Sequence, residues 1–187
     1  MIKDMPDYSI PSFPNDQAAD AWLRIRSQFY DEMVREVEEQ GGYAFRSWDE
    51  PLGTVIHGEG TKYIQLSDDL KGAERLSILV FEMTNAYQSL KHGEIDQRAR
   101  SGAIKDAEVF ALRHELIEFD GLRYHRIVLS ELATSIDGIP QEMLTWINPK
   151  LTTLESYSLP LAHDYLEWQE KGGHTDHYRR HFAKFVT

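Results

Sequence analysis

Cysteine is missing altogether, Lys and Arg number only 20 against 31 Asp and Glu, and the 187 residues contain no long apolar run. Without cysteine there is no disulfide framework, no thiolate metal site and no cysteine nucleophile. A formal net charge of −11 leaves few cations to neutralise phosphates, so neither nucleic acid nor an anionic membrane surface is an expected partner. The longest apolar stretch, Leu76 to Met83, is interrupted by Ser77 and Glu82 and is far too short to span a bilayer. The opening Met1-Ile2-Lys3-Asp4-Met5-Pro6 lacks the apolar core of a cleaved signal peptide, and none is expected. Nor is there a Gly-rich phosphate loop, a nucleophile elbow or a basic stripe. What remains is an ordinary globular composition, 41% hydrophobic and 11% aromatic. Its length suits a single domain, 1–187, able to bury a core.

Residues 1–14, with Pro6, Pro11 and Pro14, read as an extended lead-in. Trp22, Ile25, Phe29, Met33 and Val37 then recur at helical spacing, predicting one amphipathic helix from the Asn15 or Asp16 cap to Gly41-Gly42. Tyr43–Trp48, Gly53–His57 and Lys62–Leu66 are short runs rich in aromatic and β-branched residues, parted by Glu50-Pro51 and Gly58-Glu59-Gly60. They predict a small antiparallel sheet whose last two strands form a hairpin. Helical periodicity returns over Lys71–Lys91, with a loop over His92–Ser101, and again over Ile104–Phe119 and Leu122–Ser135 with Gly121 between. A short helix through Trp146 follows Pro140, Asn148-Pro149 breaks it, and Leu151–Glu170 and Thr175–Phe185 are helical, parted by Gly172-Gly173. The fold class expected is α+β: a mainly helical single domain with a small antiparallel sheet.

One segment carries chemistry. Phe81-Glu82-Met83-Thr84-Asn85 follows an apolar run and leads into Ala86-Tyr87. This resembles the active-site helix of zincin-type metallopeptidases, where HExxH occupies those five positions. The order strand, strand, acidic turn, helix is similar to that fold's active-site neighbourhood. In HExxH the imidazoles at i and i+4 share one helix face and hold zinc, and the Glu is the general base. Phe81 has no lone pair to give, and Asn85 offers only an amide oxygen. The resemblance, over roughly Tyr43 to Val128, thus implies a zincin-like core (43–128) without the metallopeptidase site; no metal and no cofactor is expected. On the helical wheel, Leu76, Leu79, Val80, Met83, Ala86, Tyr87 and Leu90 form the core arc. Glu74, Ile78, Phe81, Glu82, Asn85 and Gln88 lie opposite, where a cleft would be.

The next helix offers companions. Val109, Leu112, Leu116 and Phe119 read as its core stripe, and Ala107, Ala111, His114 and Glu118 as a second line ending in a His/carboxylate pair. Glu108 or Glu115 could take the place of the zinc-binding Glu found on that helix in one zincin branch. His114-Glu115-Leu116-Ile117-Glu118-Phe119-Asp120-Gly121-Leu122-Arg123-Tyr124-His125 reads HExxExxGxxxH, two departures from the metzincin pattern, which argue against a metal site there. His174, His177 and His181 recur at i, i+3 and i+7. They could hold zinc or nickel adventitiously, but Tyr178, Phe182 and Phe185 beside them point to a docked C-terminal helix with its imidazoles at the rim. His57, His92 and His163 have no motif around them.

Degenerate zincin-like domains of this kind look like those of bacterial polymorphic toxins and secreted effectors. A short chain without a signal peptide is similar in outline to small effectors of the type VI secretion apparatus, which travel with its tube protein. The resemblance implies a protein made in the bacterial cytoplasm, exported without a cleaved signal peptide and delivered to a target cell. Three readings follow. The first is an effector that binds a target-cell protein. The second is a metal-independent hydrolase with Glu82 as general acid/base, assisted by His114 or Glu118, in a cleft lined by Phe81, Asn85, Glu108, Glu115 and His125. The third is an immunity or adaptor module meeting a basic partner through its acidic surface.

Overall fold

The structure, a computed structural model, describes residues 10–49, 52–57, 60–148 and 150–186. The first nine residues of the lead-in, and the turn residues Glu50-Pro51, Gly58-Glu59 and Pro149, lie outside the described residues. The elements in chain order are α1 (Asp16–Arg26), α2 (Gln28–Glu39), β1 (Tyr43–Trp48), β2 (Gly53–His57), β3 (Lys62–Ser67), α3 (Gly72–Tyr87), α4 (Ser89–Arg100), α5 (Ala107–Ser135), α6 (Glu142–Thr145), α7 (Ala162–Gly172) and α8 (His174–Phe182). The class is α+β and mainly helical. No described helix is long and apolar enough to cross a membrane.

The described chain forms two compact units. One comprises the residues up to Ala86 together with His125–Tyr157, the other Tyr87–Tyr124 together with the residues from Ser158 on. The first unit holds α1, α2, the sheet, α3 and the C-terminal part of α5. The second holds α4, the N-terminal part of α5, α7 and α8.

The first helix expected from the sequence is two helices in the first unit. Ser27 breaks it with an extended backbone, φ −130° and ψ 114°, and its side chain caps α2 by accepting from Tyr30 N–H at 3.0 Å. The Ser27 hydroxyl donates to Glu131 Oε2 at 2.6 Å, and Phe29 N–H donates to the same oxygen at 3.0 Å. Asp20, buried, accepts from the Tyr30 and Tyr43 hydroxyls at 2.7 and 2.8 Å. Burial pushes its carboxyl upward, against the pull of those two donors and Arg24.

The sheet order is β1-β3-β2. The hairpin is antiparallel as expected, with Gly53 opposite Leu66 and His57 opposite Lys62. β1 runs parallel to β3, Tyr43 opposite Lys62 and Ser47 opposite Leu66, so the sheet is mixed and not purely antiparallel. The central strand β3 accordingly shows the alternation of a strand with one buried face, Ile64 and Leu66 fully buried.

In α3 the expected arc of Leu76, Leu79, Val80, Met83 and Ala86 is buried, but so are Ser77, Ile78, Glu82 and Thr84. The helix is enclosed on most of its sides. Leu90, placed in the same arc, is exposed at the start of α4.

The second unit corrects four expectations. Residues 92–100, read as loop, lie in α4, where Ile95 and Ala99, four apart, join Ile104, Phe110 and Phe182 in a hydrophobic cluster. Gly121 does not interrupt α5, which is continuous over 29 residues. Most consequentially, Val109, Leu112 and Leu116 are 41, 42 and 39% exposed, while Phe110, Ala111, His114 and Glu115 point inward. α7 starts only at Ala162, since Pro160 holds its predecessor out of the helical region. Gly173, left-handed at φ 77°, joins α7 to α8 with no other residue between them.

Candidate functional site

The residues singled out in the sequence divide between the units: Phe81, Glu82, Asn85 and His125 in the first, Glu108, His114, Glu115 and Glu118 in the second.

In the first unit, Glu82 is 5% exposed and accepts from Asn85 Nδ2 at 3.2 Å. It lies beneath β2: a Cβ built on Gly53 would stand 2.9 Å from the Glu82 Cγ. Phe81 meets the rings of Trp146 and His125 at 5.2 and 6.3 Å. The two positions that hold imidazoles in HExxH are thus taken by a packed aromatic ring and by an amide turned to Glu82.

His125 is fully buried, with Nε2 2.9 Å from the Ser77 hydroxyl. Ser77 Oγ donates its only proton to the Met143 carbonyl at 2.6 Å and accepts from Trp146 Nε1 at 2.8 Å. Nε2 of His125 must therefore carry the proton and donate to Ser77, leaving Nδ1 to face the Tyr157 hydroxyl at 3.5 Å. Burial pushes this imidazole down to about 3, against the Ser77 contact. His125 is a neutral core histidine that ties α3, α5 and α6 together.

The second unit brings expected and passed-over groups together on the inner face of α5. His114 does not pair with Glu118. Its Nδ1 lies 2.6 Å from Nδ1 of His92, so one of the two rings donates to the other, and its Nε2 lies 3.3 Å from Asp96 Oδ1. His181 Nε2 approaches the same carboxylate at 3.4 Å. Burial opposes ionisation of Asp96, but the His114 and His181 rings outweigh it and hold the carboxyl below its ordinary value. The His114 ring is stacked on Tyr178, 4.6 Å between centroids.

Next to His114 on α5, Glu115 is completely buried. Its Oε1 accepts from His174 Nδ1 and Thr175 Oγ1, each at 3.0 Å. Glu118 accepts a short hydrogen bond from the Tyr178 hydroxyl, and its Oε2 stands 3.6 Å from His174 Nε2. Burial pushes Glu118 upward and Glu115 adds to the push, against His174 and Tyr178. Tyr178 is raised well above the ordinary phenol value by burial and by Glu118. Glu108 stays outside this network, at the surface with Arg179 at 2.7 Å.

Sequence reasoning passed over His92, Asp96, Thr175 and Tyr178 and set His174 aside as a rim residue. The signal available was local: His114, Glu115 and Glu118 share one side of α5, and Asp96 lies four residues beyond His92 on α4. No family model matches the chain, and neither a curated protein nor a solved structure matches it.

Proposed function

We propose that this chain is a binding protein of the secreted-effector kind, engaging a target-cell protein through the outer face of α5, with no metallopeptidase chemistry on α3. The observation that carries the reading is the exposed stripe Val109, Leu112 and Leu116, three large apolar side chains on one helix face with two-fifths of each in solvent. Such a stripe at i, i+3 and i+7 is the shape of a groove-filling helix anchor. On α3, Phe81 and Asn85 supply no imidazole. A general base must come within about 3 Å of the proton it takes, and Glu82, 5% exposed beneath Gly53, offers substrate little access. That weighs against the hydrolase reading. Export with a secretion tube protein and delivery into a target cell belong to the same proposal.

The test compares three forms of the purified chain against target-cell protein: wild type, Leu112→Asp/Leu116→Asp, and Glu82→Gln. The stripe variant should lose binding at least tenfold, and Glu82→Gln should bind as wild type does. Binding that persists at high salt favours the stripe, whereas binding lost with salt favours an acidic adaptor surface. Hydrolysis of a peptide or amide substrate that disappears in Glu82→Gln would overturn the proposal.

A further inference from the structure

Two carboxylates and one imidazole meet in the second unit with too little positive charge among them. Glu115 and Glu118 project from one side of α5, and His174 opens α8; one donor atom from each lies within 4.8 Å of the others. Among the described residues no lysine or arginine pairs with Glu115 or Glu118, and the only basic group at either is His174. Glu115 is 0% exposed, and its Oε2 has no hydrogen-bond partner while Oε1 has two. A buried carboxylate oxygen left bare is costly, and buried charge is ordinarily paired or coordinates a metal.

We infer that Glu115, Glu118 and His174 form a binding site for a divalent first-row transition ion, with zinc as the reference ligand. The donor chemistry fits. Nδ1 of His174 and Oε1 of Glu115 stand 3.0 Å apart, with a proton between them that an ion bound at about 2.1 Å to each would displace. Glu118 Oε2 lies 3.6 Å from the other nitrogen of the ring, and a donor atom of Glu118 falls within 4.8 Å of donors from His174 and Glu115. The unpartnered Oε2 of Glu115 gives that carboxylate a second oxygen for the ion beside Oε1. A dication neutralises the two carboxylates, and one imidazole with two carboxylates suits Zn²⁺ or Mn²⁺ better than a copper or thiophilic ion. His174 is 40% exposed in its side chain, which gives the ion a way in and leaves room for a water as fourth ligand, the open pattern of three protein ligands. The Tyr178 hydroxyl on Glu118 Oε1 and the Thr175 hydroxyl on Glu115 Oε1 hold both carboxylates in place. In the neighbouring group, His114 and His181 turn their Nε2 atoms to Asp96 Oδ1 at 3.3 and 3.4 Å.

The experiment is calorimetric titration of the EDTA-treated full chain with ZnCl₂ and, separately, MnCl₂, with melting curves of the same samples. One Zn²⁺ per chain and a raised Tm are expected. Glu118→Gln and His174→Gln should each weaken Kd at least tenfold. His177→Gln, in the exposed ring one turn along α8, should leave it unchanged. His174→Gln keeps the buried carboxylates intact, so it reports on binding even where Glu118→Gln fails to fold. No stoichiometric zinc, or zinc lost in His177→Gln and kept in His174→Gln, overturns the site and assigns the metal to surface imidazoles.

Discussion

Nε2 of His125 lies 2.9 Å from Oγ of Ser77, yet the pair is no nucleophile and base, because the serine proton is already given to the Met143 carbonyl at 2.6 Å. The relationship has a cost in acid. His125 is pushed down to about 3 by burial, so the unfolded chain takes up a proton below about pH 6.5 that the folded chain refuses. Stability should fall as pH drops from about 6.5 toward 3, by about 1.4 kcal/mol per pH unit. Urea unfolding at pH 7.5 and 5.5 measures the slope, and His125→Gln should flatten it while retaining a donor for Ser77. An equal slope in both proteins would contradict this account.

Gly53 admits no side chain. A Cβ there meets Glu82 Cγ at 2.9 Å, Gln65 O at 3.0 Å and Leu66 Cδ2 at 3.0 Å. Gly53→Ala should cost roughly 1–3 kcal/mol through overpacking. Adding Glu82→Ala should restore only part of it, because the Gln65 carbonyl belongs to the backbone and stays. Denaturant midpoints of the four proteins in the cycle give the coupling.

Ser27→Ala removes the α2 cap and also strips Glu131 of its hydroxyl donor. A cap alone is worth about 1 kcal/mol; with the second hydrogen bond, to the half-buried Glu131 carboxylate, lost as well, about 2–3 kcal/mol is expected. Glu131→Gln, which keeps an oxygen for Phe29 N–H, should cost less. If Ser27→Ala melts with wild type, the break between α1 and α2 has another cause.

Arg179 bridges Glu108, Glu170 and Asp176 at 2.7, 2.8 and 2.6 Å. The three carboxylates raise its already high pKa. All three partners are largely exposed, so Arg179→Ala should cost no more than about 1 kcal/mol, and 1 M salt should erase most of the difference. Melting temperatures at low and high salt decide it.

Much of the fold was legible. The three strands announced themselves by aromatic and β-branched residues and by the Glu50-Pro51 and Gly58-Glu59-Gly60 breaks between them, and most helix ends by Gly, Pro or a cap. The break at Ser27 was not, because its second anchor, Glu131, is 104 residues away. The helix over 92–100 was hidden by Gly93 and a polar sequence whose two buried residues, Ile95 and Ala99, gain their worth from Phe110 and Phe182. α5 carries two stripes, one purely apolar and one containing His114, Glu115 and Glu118. Hydrophobicity favours burying the first. The second is the one buried, because α4 and α8 bring His92, Asp96, His174, Thr175 and Tyr178 against it as polar partners. On α3, the absence of imidazoles at positions 81 and 85 could be read directly, whereas the enclosure of Glu82 depends on Gly53 of β2 and could not.

The route of the chain through its two units has a practical outcome. The first unit is left at Ala86 and rejoined at His125, so Leu129, Leu132 and Met143 of its interior are encoded after the whole of α4. No contiguous fragment reproduces either unit. A truncation ending anywhere between residues 87 and 124 would deprive the sheet and α3 of part of their own packing, and dissection of this protein must proceed by point substitution or circular rearrangement instead of by cutting.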